Sequence, residues 1–506
     1  MKNAPSFPEE RVEPDRNEFH RKAKTANLIP VHAEILADDL TPISAYRTLV
    51  GDGTGFLLES VERGEKVGRY SFIGLEPWDV ISTDGEDPLS VVERRMAAYR
   101  VAVDPRLPRF SGGAVGYIGY DCIRYFEPRL RGFGNLKDRH DASGIGLPEA
   151  AFQIAGKLVI FDHVKRRARL VANAYIEDGT DPELAYDKAL MTLADLARRL
   201  ENGATAVPKR PLLGAAAEIR GIAEREKLLA SVSANMTRAE YEASVEKAKR
   251  YIEAGDIFQV VLSQRFERQV TANSFDIYRA LRATNPSPYM YYMKFPGFTI
   301  AGSSPEVMVR LEGNAITLRP IAGTRPRGAD EAEDRALESE LLADAKERAE
   351  HIMLVDLGRN DVGRVARHGS VNVNDLMVVE RYSHVMHIVS NVVGELDGRK
   401  SACDVIRSAF PAGTVSGAPK IRAMEIIAEL EPTRRGPYAG ALGYIGFDGN
   451  ADTAIVLRTI VLKDGTAYIQ SGGGIVYDSV PLKEYEESVN KASAMMKALV
   501  WAEEGL

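Results

Sequence analysis

Glu347 with Glu350, and far downstream Glu484 with Glu487, form two acidic pairs at i,i+3 spacing. Both stretches have helical periodicity, so each pair projects two carboxylates from one helical face. Four carboxylates converging in a protein interior are costly unless a hard cation neutralises them, and oxygen donors of this kind suit Mg²⁺. Lys491 follows the second pair on the same face, a cationic anchor for an anionic ligand. The pattern predicts a divalent-ion site beside a positive charge, fit for a small polycarboxylate. A solvated acidic face is the plainer reading of the first helix alone, and the second helix favours a shared ion. Zinc is disfavoured, because Glu347-Arg-Ala-Glu-His351 lacks the HExxH spacing.

Further runs carry chemistry. Ser471-Gly472-Gly473-Gly474-Ile475 follows the strand-like run Thr466–Gln470, and its glycines can expose amides to an anion. Neither a Walker lysine nor a dinucleotide fingerprint accompanies it, so a carboxylate cradle is preferred over a phosphate loop, with a simple glycine turn as the alternative. Glu306 ends Ser303-Ser304-Pro305-Glu306, just past the apolar strand Phe298–Ala301. A glutamate there becomes a general acid if burial raises its pKa, and is otherwise a turn carboxylate. His387 and His384 compete as a candidate base, against the reading of a merely packed histidine.

These side chains need elements to hold them. Pro481 opens the second acidic helix, and Asp330, Glu331 and Glu333 crowd the start of the first, where the macrodipole accepts negative charge. Residues 1–25 read as a flexible, charged N-terminal segment. A first domain spans 26–203, with strand-like runs Phe152–Phe161 and Ala168–Ile176 and a closing helix, Pro182–Leu200. Residues 204–235 read as a linker. The second domain, 236–506, opens with a capping box at Thr237–Glu240 and a helix stopped at Gly255. Gly113–Asp121 (GAVGYIGYD) is echoed at Gly440–Asp448 (GALGYIGFD), which suggests either two close-packed strands or a duplicated half, one catalytic and one not.

Composition sets the bounds. The chain has 506 residues, 45% hydrophobic and 27% charged, ordinary for a soluble globular protein. A net charge of −7 offers no footprint for nucleic acid, so an anionic substrate must be held by local groups. No apolar run approaches a membrane span and the start lacks a signal-peptide core, so the cytoplasm is expected. Cys122 and Cys403 are too few for a disulfide framework.

Together, LLESVERGEKVGRYSFIG, GDIFQVVLSQR, TNPSPYMYYM, SSPE, RPIAGTRPRG, ERAEHIMLVDLGRND, FPAGTVSGAPK, IVLRT, QSGGGIV and EYEESVNKA resemble the chorismate-utilising enzymes, most closely the large subunits of anthranilate synthases. The likeness covers about residues 30–500. It implies an α+β fold: large antiparallel sheets packed as an orthogonal sandwich, helices outside. It implies that Glu350 and Glu487 ligate Mg²⁺, with Glu347 and Glu484 in direct or water-mediated support, and that the metal grips the ring carboxylate of chorismate. Arg458, Lys491 and the amides of Gly472, Gly473 and Gly474 would hold the enolpyruvyl carboxylate. Glu306 would protonate the departing C4 hydroxyl and His387 would assist proton removal at C2, with Thr414, Tyr438 and Gly440 lining the pocket. Leu58, Glu59, Ser60, Pro288, Tyr289 and Met290 match a tryptophan feedback site, with Glu59 or Ser60 placed to meet the α-amino group.

Two positions sort the chain within that family. Gln259 stands where water-adding relatives carry a lysine base, so ammonia is the implied nucleophile. Ala322, in Pro320-Ile-Ala-Gly-Thr324, stands where aminodeoxychorismate synthases carry a nucleophilic lysine. The implied product is anthranilate, with pyruvate released. Neither cysteine sits in a glutaminase elbow, so ammonia is expected from a separate glutaminase subunit, in a heterodimer or a dimer of heterodimers. Aminodeoxychorismate synthase component I is the nearest rival, and a non-catalytic tryptophan-binding regulatory subunit is a rival of another class.

Overall fold

A computed structural model describes residues 9–60, 68–132, 144–203, 228–382 and 385–505. Among them are two antiparallel sheets, one of 13 strands and one of 10, with helices on their outer faces. The strand run Tyr289–Phe295 shows why long apolar stretches became strands. Tyr291, Met293 and Phe295 enter the core between the sheets, while Met290 and Tyr292 enter a second core under helices. A strand buried on both faces reads as continuous apolar sequence, as this one does.

Both sheets draw strands from both sides of the expected linker. In the larger sheet Gly55–Glu59 pairs with Tyr289–Phe295, joining six strands from each half along the main strand order. In the smaller one the two echoed segments pair with each other, Gly116 opposite Gly443. A Cβ on Gly116 would lie 2.0 Å from the Ala151 carbonyl oxygen, and one on Gly443 2.0 Å from that of Asp452. The glycines therefore permit close strand packing between the two echoed segments. The second half carries both acidic pairs, one in Ala345–Gly363 and one in the terminal helix Pro481–Glu504.

Several expected boundaries shift. Residues 1–8 lie outside the described residues, but Arg16–Ala23 is a docked helix rather than a loose tail. Asp15 caps it, and the fully buried Phe19 ring packs 4.9 Å from Tyr186. Its charged residues add to that anchor, Arg16 pairing with Asp187 at 3.1 Å and Lys22 with Asp104 at 3.1 Å. Of the 204–235 segment, 204–227 lie outside the described residues, and Ser233–Ala234 pairs with Phe266 and Glu267 as a short edge strand. The run Phe152–Phe161 breaks at Gly156 into Ala150–Ala155 of one sheet and Lys157–Asp162 of the other. A side chain at Gly156 would strike the Trp78 ring, so only glycine lets the chain cross there. The capping box at Thr237 and Glu240 forms, and Gly255 follows the helix end at φ +81°.

Candidate functional site

The first acidic stretch is two helices. Asp330 caps Glu331–Ala343, and Asp344 breaks the run and caps Ala345–Gly363, which carries Glu347 and Glu350. Asp330, Glu331 and Glu333 therefore sit one helix upstream of the pair. His351 and Leu354 turn into the core, where His351 Nε2 lies 2.6 Å from Ser390 Oγ. Glu484 and Glu487 stand in the first two turns of Pro481–Glu504.

Both helix starts face one strand. The glycine run is not a loop: Thr466–Ile475 is continuous, and it pairs with Gln259–Gln269 along its whole length. On its other edge Thr459–Lys463 reaches only Thr466–Ile469, so the stretch beyond has no strand partner there among the described residues. A Cβ on Gly473 would stand 3.2 Å from Glu484 Oε2 and 3.4 Å from Glu487 Oε1. One on Gly474 would meet Gln259 Nε2 at 2.6 Å, and that amide donates to Glu350 Oε1 at 3.0 Å. Glycine at both positions is what lets the acidic helices approach.

The carboxylates converge only in part. Among the described residues no three His, Cys, Asp or Glu side chains are close enough to hold a metal ion. Each is drawn to a partner instead: Glu350 to Gln259, Glu347 to Arg325 at 3.5 Å, and Glu487 to Lys491 at 2.8 Å. Lys491 also donates to the Gly472 carbonyl at 3.1 Å. Burial, with Glu350 close by, raises the Glu347 pKa, and burial with Glu487 nearby raises that of Glu484. Paired carboxylates at both helix starts offer hard oxygen donors only, which fits Mg²⁺ in donor chemistry.

Glu306 follows Phe298–Ser304 and is held by Thr414, whose Oγ1 donates to Glu306 Oε1 at 2.9 Å. Its carboxyl is enclosed, and burial raises its pKa to about 8, against the opposing pull of Thr414 and Arg458. At neutral pH it holds a proton. The Arg458 guanidinium has no ion pair or hydrogen bond among the described residues, and burial lowers its pKa while Glu306 opposes the drop. A half-buried cation without a partner among the described residues is a ready anion site. His387 lies in strand Val385–Glu395, its Nδ1 3.1 Å from the Gly323 carbonyl and 3.0 Å from Thr324 Oγ1. A carbonyl only accepts, so Nδ1 carries the hydrogen in that bond and Nε2 is left as the basic nitrogen. Burial lowers the His387 pKa, which keeps it neutral. His384 lies outside the described residues.

The sequence that builds this site matches a known family model. That model, described as chorismate binding enzyme, covers residues 55–497. The chain belongs to this chorismate binding family. It is 49% identical to anthranilate synthase component 1 of Pseudomonas aeruginosa, covering 97% of this chain and 100% of that one. The Acetivibrio thermocellus protein of the same name is 46% identical, with 96% and 98% covered. The crystal structure of anthranilate synthase component I from Streptococcus pneumoniae superposes with a TM-score of 0.69 at 36% identity, covering 91% of this chain and 99% of that one.

Within this member of the chorismate binding family, Gly440 and Glu306 meet successive residues of one segment, the Val456 amide donating to the Gly440 carbonyl at 2.9 Å and the Ile455 amide to the Glu306 carbonyl at 3.0 Å. Tyr438 lines a neighbouring cavity with Arg265, Arg435 and Gln470. Gly440 serves close packing, since a Cβ there would lie 2.1 Å from the Ile118 carbonyl oxygen. Leu58, Glu59, Ser60, Pro288, Tyr289 and Met290, by contrast, all line one pocket of about 530 Å³ where the halves meet. Glu59 is buried there with its carboxylate engaged by Tyr278 Oη at 2.6 Å and Arg282 Nε at 3.1 Å. Ser60 Oγ is buried and has no hydrogen-bond partner. Sequence reasoning missed Arg109, Arg310 and Asp452 on the pocket wall. It also missed the buried Asp361–Lys420 pair, 2.8 Å apart, whose Asp361 borders the cavity behind Glu306. Asp452 lies in the strand after the echoed segment, and no motif of the sequence marks it.

Proposed function

We propose that this chain aminates chorismate at C2 and expels pyruvate, giving anthranilate. Chorismate and ammonia yield anthranilate, pyruvate and water, so the C4 hydroxyl must leave as water and a proton must leave C2. The carrying observation is Glu306: a carboxyl kept protonated at neutral pH, hydrogen-bonded by Thr414 and facing an unpaired Arg458. Glu306 gives its proton to the departing hydroxyl. Arg458, Lys491 and the Gly472–Gly474 amides hold the enolpyruvyl carboxylate, and neutral His387 takes up the C2 proton. Gln259 supports ammonia over water as nucleophile, since an amide is no base. Ala322 lacks the amine of the aminodeoxychorismate route.

Glu350 and Glu487 would hold Mg²⁺, supported by Glu347 and Glu484; the ion, when bound, neutralises these carboxylates and grips the ring carboxylate of the substrate. Ammonia comes from a partner glutaminase subunit. Both Cys122 and Cys403 are buried, and burial pushes both thiols up, the reverse of an activated nucleophile. L-tryptophan occupies the pocket around Ser60 and inhibits by favouring one conformation. No helix among the described residues is long and apolar enough to cross a membrane, which is compatible with a cytoplasmic enzyme. The test is nitrogen supply. With chorismate and Mg²⁺ the purified chain turns over on ammonium salts and is idle on glutamine; turnover on glutamine alone refutes the two-subunit reading.

A further inference from the structure

Arg435 is among the largest fully buried side chains of the described residues, at 1% exposure. Its Nε and one terminal nitrogen grip Glu431, at 2.9 and 2.6 Å. The terminal nitrogens also donate to two backbone carbonyls, Val261 at 2.6 Å and Val415 at 2.7 Å. Glu431 in turn accepts from the Ser263 amide at 2.8 Å and hydroxyl at 2.9 Å. Tyr120 and Tyr438 face the guanidinium, with centroids at 4.6 and 5.6 Å.

A buried ion pair is a poor stabiliser, because desolvation offsets much of the attraction. Its geometry suggests a different use. Val261 lies two residues beyond Gln259 on the same strand, and Val415 directly follows Thr414, the residue that donates to Glu306. The Val261 amide reaches back to the Ser416 carbonyl at 2.9 Å. One planar fork thus ties the strand of Gln259 to the turn of Thr414. The first half of the chain supports the fork: the Tyr120 amide donates to the Gly436 carbonyl at 2.7 Å, and Asp121 accepts from the Gly436 amide at 2.8 Å.

We infer that Arg435 is a positioning residue, clamping the carbonyls of Val261 and Val415 so that Thr414 and Gln259 are held in fixed relation to Glu306. The inference rests on Glu306 being the proton donor. It also gives the half without acidic helices a task, since Tyr120 of the echoed segment braces the clamp. Lysine cannot substitute, because a point charge cannot reach two carbonyls and a bidentate carboxylate together.

The test is Arg435→Lys, with Tyr120→Leu as a milder companion, assayed for anthranilate from chorismate and ammonium across the pH range. Arg435→Lys should lower kcat by about 10- to 100-fold, the scale set by small misplacements of catalytic groups, while KM for chorismate stays within about threefold. The pH profile gives the decisive readout. The Thr414 hydrogen bond holds the Glu306 pKa down, against burial; Arg458 faces the same carboxyl, and Arg319 and Asp361 line the cavity behind it. Loosening Thr414 therefore moves the alkaline limb of kcat/KM to higher pH. Tyr120→Leu should move it the same way, by less. Folding is checked by circular dichroism and a cooperative melt; should Arg435→Lys fail to fold, Tyr120→Leu carries the test. Folded variants with kcat within about threefold of wild type overturn the inference, and so does a lost kcat with the limb in place. A wild-type profile with no alkaline limb removes Glu306 as donor, a separate failure that takes this inference with it.

Discussion

Replacing Glu306 with glutamine probes the chemistry most sharply. With a pKa of about 8 in place of the ordinary 4.5, about three-quarters of the side chain is protonated at pH ~7.5, against about one part in a thousand for an unperturbed glutamate. Burial thus supplies almost the whole population of acid. Glu306→Gln keeps the size of the side chain and an oxygen for the Thr414 hydroxyl, but has no acidic proton to give. General acid catalysis contributes about 10²- to 10⁴-fold, or about 3–5 kcal/mol, so kcat with ammonium should fall by that much. Anthranilate fluorescence at saturating chorismate measures it. The sign of the pH dependence is fixed: the acid form is required, so wild-type activity declines as pH rises through about 8, and the variant loses that limb. A variant within about threefold of wild type, or one that retains the same alkaline limb, refutes the assignment.

Other perturbations address the rest of the cleft. Glu350→Gln and Glu487→Gln should each abolish Mg²⁺-supported turnover by more than about 100-fold, while melting barely moves; the Glu487–Lys491 pair is half exposed and such pairs contribute about 0–1 kcal/mol. Normal activity in either would remove the metal assignment. Gln259→Lys places an amine beside Glu350 and should release some water-derived isochorismate, detectable by chromatography; no trace of it sinks the nucleophile argument. Ser60→Leu fills the effector pocket and should raise the tryptophan concentration for half-inhibition by at least about tenfold, on the scale of 1.4 kcal/mol or more. An unshifted inhibition curve argues against tryptophan in that pocket.

What the sequence revealed depended on how local the cause was. The Thr237 capping box and the helix stop at Gly255 follow from near neighbours, and both form. Glu306 was recognisable as a candidate acid, but its raised pKa comes from burial by distant segments. The break at Asp344 went unread because the flanking residues are good helix formers, and only the capping geometry reveals it. The glycine run looked like a loop for lack of side chains. In the sheet those absences make room for Gln259, Glu484 and Glu487, a reason visible only after folding. Arg435 and Glu431 have the i,i+4 spacing common in surface pairs, and only the fold reveals that both are buried.

The account stands most directly on product stoichiometry. Purified chain, chorismate, Mg²⁺ and ammonium, resolved by chromatography and mass, should give anthranilate and pyruvate in equal amounts, with no accumulation of an aminated intermediate. Aminodeoxychorismate or isochorismate as the end product, or no turnover by a folded protein, contradicts it.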